Sequence, residues 1–242
     1  MNIRFDGQLA LVTGGTRGIG KQIALDLEGL GARVILTGSS KEKPEFLTHG
    51  NFSYISSDFT NDSDIRTFLE SLTQFDRIDI CVNNAGINKL NYIENVEDAD
   101  YDAMMKVNID APYKIVRTIA PIMKKNKYGR IINISSIFGK MSKEKRSAYT
   151  VTKYAIKGLT VASSIELAQF GVLVNTVSPG FTLTDLTRKN LSPEEMERLC
   201  AAIPMHRMAE VKEISNVVLF LASSLNTYIT GQDIIVDGGF TN

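Results

Sequence analysis

Tyr149 and Lys153 stand at i and i+4 in the run Tyr149-Thr150-Val151-Thr152-Lys153. On a helix both project from one face, with Cβ atoms about 5–6 Å apart, which suits an acid and its tuner. A free tyrosine titrates near ~10, and bringing it to ~7 needs about 4 kcal/mol at ~1.36 kcal/mol per unit. One positive charge ~4 Å away at an effective dielectric of ~20 supplies about that much. Alone the pair decides nothing, because Tyr and Lys recur at this spacing on solvated helix faces. It does not stand alone. Ser136, thirteen residues upstream in Ile134-Ser135-Ser136, ends an apolar run of strand length, and ligands bind at such strand ends in open parallel sheets. Its hydroxyl can hydrogen-bond a substrate carbonyl. Asn83-Asn84-Ala85-Gly86 ends another run and suits either a polar turn beside a cofactor or a plain structural turn. Asn108, between two helical stretches, can hold a water or bond its own backbone.

A second constellation follows the first apolar run. In Thr13-Gly14-Gly15-Thr16-Arg17-Gly18-Ile19-Gly20 the glycines let the backbone turn sharply and approach a phosphate at the N-terminus of the next helix, where dipole and free amides favour an anion. The strict G-x-G-x-x-G spacing is absent, and a tight strand-to-helix turn alone would explain the glycines. Gly15 to Gly20 followed by Lys21 also satisfies the triphosphate loop, but Gln22 stands where magnesium ligation needs a hydroxyl. The second strand runs into Thr37-Gly38-Ser39-Ser40-Lys41 without the carboxylate that would hold the ribose hydroxyls of NAD. Arg17, inside the glycine loop, can pair with a 2′-phosphate, so the missing acid and the added base both point to NADP(H).

These groups need a scaffold, and the chain supplies one. Strand-like runs at 9–12, 33–36, 52–56, 78–82, 130–134, 173–177 and 234–236 alternate with helical stretches at 19–30, 63–72, 99–105, 111–125, 148–170 and 211–222. Gly31 serves as the first helix's C-cap. Alternation of this kind predicts an α/β fold: one doubly wound, seven-stranded parallel sheet of Rossmann type, buried on both faces, spanning 1–242 as a single domain. The least regular segment, Phe181 to Arg207, is polar and then helical over 192–202, which fits a substrate lid.

The chain's 242 residues carry 27 basic and 27 acidic side chains, for a net charge of +0. No global field draws it to nucleic acid or to an anionic membrane. Cys81 and Cys200 make no disulfide framework, and His49 and His206 build no metal site. The start, Met1 to Gly7, lacks the pattern of a signal peptide, and no run is long enough to span a bilayer. A cytoplasmic protein without a metal is expected.

Taken together, Thr13-Gly14-x-x-x-Gly18-x-Gly20, Asp58, Asn83-Asn84-Ala85-Gly86, Asn108, Ser136, Tyr149-x-x-x-Lys153 and Pro179-Gly180 with Thr184 resemble the short-chain dehydrogenase/reductase family from Leu9 to Gly239. The resemblance implies Tyr149 as general acid, Ser136 orienting the carbonyl, and Asn108 holding a proton-relay water. It implies that Lys153 binds the nicotinamide ribose and lowers the Tyr149 pKa. It places Gly14, Thr16, Arg17, Gly18, Ile19, Gly20 and Ser39 around the cofactor phosphates, and Asp58 and Phe59 at the adenine. Asn84, Ala85 and Gly86 then line the ribose and phosphates, and Pro179, Gly180, Thr182 and Thr184 touch the nicotinamide side. Tyr149 and Lys153 complete that cofactor set.

Within the family, Leu183 to Arg188 and Tyr228 to Gly239 look most like 3-oxoacyl-(acyl-carrier-protein) reductases, although Phe170 stands where those often carry a basic residue. That likeness implies NADPH-dependent reduction of a carrier-linked carbonyl, and so a partnership with acyl carrier protein. Relatives acting on sugars, polyols or small ketones share the same tail, and a dinucleotide-binding protein without turnover is the non-enzymatic alternative. Lys124, Lys125, Lys127 and Arg130, with Lys140, Lys143, Lys145 and Arg146, would form a basic rim for an acidic carrier. The helices 111–125 and 148–170 resemble those that pair between family subunits, implying a homotetramer.

Overall fold

The computed structural model describes every residue except Met1, Asn2 and His49, and also leaves out the side chains of Asp185, Leu186 and Asn190. The sequence readings that fall on those residues lie outside the described part. Strands β1 (Leu9–Val12), β2 (Arg33–Gly38), β3 (Phe52–Ser56), β4 (Ile80–Asn83), β5 (Gly129–Ile134) and β6 (Val172–Pro179) are followed by two two-residue strands, β7 (Thr182–Leu183) and β8 (Ala209–Glu210), and by β9 (Asp233–Val236). The main sheet has seven strands in the order β3-β2-β1-β4-β5-β6-β9, every pairing parallel. The strand order reverses direction at β1, so the crevice between the ends of β1 and β4 is the place where such sheets bind ligands.

Helices α1 (Gly18–Gly29), α2 (Asp62–Leu72), α3 (Asp98–Met105), α4 (Ala111–Asn126), α5 (Ser147–Leu167), α6 (Asp185–Asn190), α7 (Pro193–Ala202) and α8 (Val211–Ala222) complete the fold. Strand residues alternate between two apolar layers. Ala10 and Val12 pack with Ile23 and Leu27 of α1 and Ile214 and Val218 of α8, whereas Leu9 and Leu11 pack with Phe68 of α2 and Ile115 and Ile119 of α4. The period-two pattern of β1 thus fixes which helices lie on which face.

Three features differ from the sequence reading. The segment 181–207 is more regular than expected, because β7 pairs Thr182 with Ala209 and Leu183 with Glu210, tying its two ends together, and α6 and α7 lie between them. The fifth helix ends at Leu167 in a 3₁₀ turn, Ala168–Phe170, closed by Gly171 at φ 75°. Asn108 does not sit in a break between helices. It lies in a π-helical turn, Lys106–Asp110, that joins α3 to α4 without interruption, and such widened turns are frequent at functional sites.

Candidate active site

The C-terminal ends of β1, β2, β3 and β4 surround a cleft of about 880 Å³. Its wall includes Gly14, Thr16, Arg17, Gly18, Ile19 and Gly20 from the first turn, Ser39, Asp58 and Phe59 from the next two strand ends, and Asn84, Ala85, Gly86 and Thr184. The glycine turn is pinned from both sides. Thr13 Oγ1 accepts the backbone N–H groups of Asn84 and Ala85 at 3.0 Å each, while Asn84 Nδ2 donates to the carbonyls of Thr13 and Gly14, also at 3.0 Å. The Asn84 amide therefore clamps the turn rather than reaching freely toward a ligand.

The cradle fits a dinucleotide phosphate. A Cβ on Gly14, where φ is +61°, would stand 2.8 Å from Ala85 Cα, and one on Gly20 would stand 2.5 Å from the Gly14 carbonyl oxygen. Only glycine permits this approach of backbone to backbone. Helix α1 begins with no side-chain cap and no acidic residue in its first turn, so its first amides are free for an anion. The Asp58 carboxylate accepts from Thr60 N at 2.9 Å and Thr60 Oγ1 at 2.8 Å, which stiffens the turn that follows β3. The sequence reading missed the outer wall of the cleft, where Glu42, Lys43 and Glu45 also line it. No carboxylate ends β2 itself, but Arg17 shares that end with charges of both signs.

The second cluster lies at the end of β5. Lys153 is buried at 5% exposure, and its Nζ donates to the Ile134 carbonyl at 2.9 Å and lies 5.4 Å from the centre of the Tyr149 ring. The two serines divide their work: Ser135 Oγ donates to the Lys153 carbonyl at 3.0 Å, holding α5 to the strand, while Ser136 Oγ accepts Phe138 N at 3.3 Å and is near enough to the Tyr149 phenol to act on its pKa. Asn108 is held firmly. Its Oδ1 accepts Ile87 N at 2.9 Å, and its Nδ2 donates to Ile87 O at 2.9 Å and to Thr152 Oγ1 at 3.0 Å. Thr152, one residue before Lys153, in turn donates to the Tyr149 carbonyl at 2.8 Å. Both Asn108 amide hydrogens are spent, so a relay water at this side chain would use the remaining acceptor capacity of Oδ1.

Burial shifts both titratable groups of this cluster. Tyr149 is raised above the ordinary tyrosine value because burial disfavours the phenolate, with the Ser136 hydroxyl and the Arg146 charge pulling the other way. Burial also pushes the Lys153 ammonium down to about 8, a desolvation cost that residue spacing alone does not announce. The charge that reaches the phenol belongs to Arg146, which the sequence reading assigned to a surface rim.

The remaining implied cofactor residues sit next to the cleft. Gly180 N donates to Val236 O at 2.9 Å, fixing the chain after Pro179. The buried Thr182 donates to the Gly180 carbonyl at 3.1 Å. Thr184 caps α6, accepting Thr187 N at 3.1 Å, and its methyl carbon lies 3.6 Å from where a Gly18 Cβ would be. The segment beginning at Thr182 therefore starts against the glycine turn. The basic rim is also corrected. Lys124, Lys125 and Lys127 stand at the N-terminal end of β5, opposite Ser136, and Arg130 is buried, donating to the carbonyls of Gly129, Gly171 and Asn226. Within one chain only the group from Lys140 to Arg146 adjoins the site.

A glycine cradle at the β1 turn and a Ser-Tyr-Lys cluster at the end of β5, on one parallel sheet, define a dinucleotide-dependent oxidoreductase of the short-chain type. The chain belongs to the short-chain dehydrogenase/reductase family. A family profile described as enoyl-(acyl carrier protein) reductase matches residues 14–241. The 3-oxoacyl-(acyl-carrier-protein) reductase FabG of Escherichia coli is 34% identical over 241 residues, covering 98% of each chain, and that of Aquifex aeolicus is 38% identical over 251 residues, covering 99% of each. Among solved structures, a gluconate 5-dehydrogenase from Burkholderia cenocepacia in complex with NADP and tartrate has 30% identity and a TM-score of 0.91, covering 99% of this chain and 97% of that one. Among the described residues no helix is long and apolar enough to cross a membrane.

Proposed function

We propose that this chain is an NADPH-dependent reductase that converts a keto group to a secondary alcohol, with a 3-oxoacyl thioester on an acyl carrier protein as its substrate. The observation that carries the redox reading is the convergence of Ser136, Tyr149, Lys153 and Asn108 beside the glycine cradle. The cofactor, when bound, supplies the hydride. Ser136 donates to the carbonyl oxygen and fixes its position. Tyr149, held protonated at neutral pH by its burial, protonates that oxygen as charge develops on it. Its raised pKa favours reduction near neutrality, while alcohol oxidation, which needs the phenolate, gains with rising pH. Lys153 is placed to bind a ribose hydroxyl, and Asn108 to hold the water through which Tyr149 recovers its proton.

Arg17 supports NADPH over NADH, because a guanidinium pairs well with a 2′-phosphate. The full-length likeness to reductases named for 3-oxoacyl carriers supports the acyl substrate. A second reading, a keto or hydroxy sugar acid, is favoured by the structural neighbours named gluconate dehydrogenases. We also propose a homotetramer, cytoplasmic and without a nucleic-acid partner, since Tyr113 of α4 and Val161 and Ile165 of α5 leave large apolar surface exposed. Steady-state rates with both cofactors across carrier-linked 3-oxoacyl thioesters, sugar acids and simple ketones test the assignment. The expected outcome is the highest kcat/KM for the acyl substrate with NADPH. Far more efficient turnover of sugar acids overturns the acyl reading, and equal efficiency with NADH overturns the cofactor choice.

A further inference from the structure

Among the described residues Arg146 is a cation without a counter-ion. It directly precedes α5, three residues before Tyr149, and makes no side-chain cap to that helix. Among the described residues no carboxylate forms an ion pair with it. Its guanidinium packs 4.4 Å over the Phe138 ring, and that ring meets Tyr149 edge-on with centres 6.2 Å apart. The side chain is half-buried, and burial lowers its pKa while the phenol of Tyr149 acts on it in the opposite sense. The neighbouring cations are engaged elsewhere: Lys145 lies 4.8 Å over the Tyr92 ring, and Lys140 acts on Asp237. Arg146 is thus the one member of the basic loop whose charge is felt at the catalytic phenol. Partly desolvating a guanidinium without an acceptor is unfavourable, and its planar fork is shaped for an oxygen pair.

We propose that Arg146 receives the acyl oxygen of the substrate, the carboxylate of an oxo acid or the carbonyl oxygen of an oxoacyl thioester, so that the site selects oxo-acyl compounds over isolated ketones. This rests on the reductase reading above and names what the substrate must carry beside its reacting carbonyl. Phe138 holds the guanidinium in place, and the acceptor that no described residue provides arrives with the substrate.

The test compares acetoacetate, the 3-oxobutyryl thioester of N-acetylcysteamine and 2-pentanone in the unmodified protein, Arg146→Gln and Arg146→Lys. In Arg146→Gln the ratio of kcat/KM for acetoacetate to that for 2-pentanone should fall about 10- to 100-fold, as expected for a lost charge-assisted hydrogen bond. Arg146→Lys should recover part of it. A larger fall for acetoacetate than for the thioester identifies the carboxylate as the natural acceptor, and the reverse identifies the acyl carbonyl. NADPH affinity, read by fluorescence, should be unchanged and reports that the variant is folded. Ratios that stay level across all three proteins overturn the proposal while leaving the reductase standing. If the unmodified protein reduces no carbonyl at all, the reductase reading fails, and calorimetry of malonate binding to the NADPH complex decides the Arg146 site: equal affinity in Arg146→Gln overturns it.

Discussion

The two halves of the active site are built from different materials. Around β1 and β4 the site is backbone: glycines at close approach, free helix amides, and an Asn84–Thr13 clamp that holds one turn against another. At the end of β5 it is side chains: a buried Lys153, a half-buried Tyr149, and Arg146 stacked on Phe138. A backbone site takes a ligand whose shape is fixed, and few residues can change within it. A side-chain site can be retuned one residue at a time, which is how one fold serves many carbonyl substrates.

Substitutions should separate the halves. Tyr149→Phe removes the proton but keeps the ring, so kcat should fall ~10²- to 10⁴-fold with NADPH affinity unchanged. Near-normal turnover would remove Tyr149 from the mechanism. Lys153→Met tests the cost of placing an ammonium in the core. Its pKa is about 8 in the folded chain against an ordinary 10.5, so the unfolded chain binds more protons between those values and stability rises with pH across that window. Below pH 8 the full penalty applies. The cofactor-free variant should therefore be more stable than the parent at pH 7, by up to about 3 kcal/mol, with the gain shrinking toward pH 10.5. Denaturant melts at both pH values check this, and a variant less stable at pH 7 would contradict it. Gly20→Ala strikes the other half: its Cβ would overlap the Gly14 carbonyl, so stability should drop by about 1–3 kcal/mol and NADPH binding should weaken, measured by melting with and without cofactor. The smallest effect belongs to Thr152→Val, which takes one partner from Asn108 and should lower kcat about tenfold or less while leaving the KM for NADPH alone. A loss confined to that KM would place Thr152 on the cofactor side instead.

The difference in materials also governs what could be read from the sequence. The glycine turn, the seven strands and the Tyr149–Lys153 face were legible because backbone geometry demands particular residues at fixed spacing. The two-residue strands β7 and β8 were not, since two residues carry no period and the partners Thr182 and Ala209 are distant in sequence. The π turn was hidden because five residues, Lys106–Asp110, look the same in α and π registers. Asn84 lines the cleft, but the clamp its amide makes on the glycine turn joins residues about 70 positions apart and carries no local signal. The desolvation of Lys153 is not legible because spacing reports proximity alone, and Arg146 reads only as one of a basic group because packing on Phe138 is what distinguishes it from the lysines beside it.

The widened turn also sets the rotational phase of a long rod. From Asp98 to Asn126 the chain is one continuous helical element, and removing a single residue at 106–110 would turn everything after it by about 100°. Ile115 and Ile119, both fully buried, would leave the core, and Tyr113, 54% exposed, would leave the surface. A lineage carrying this fold can exchange residues in that turn, but an insertion or deletion there would re-face α4, so the same few residues that hold Asn108 in place also keep count of the helix's length.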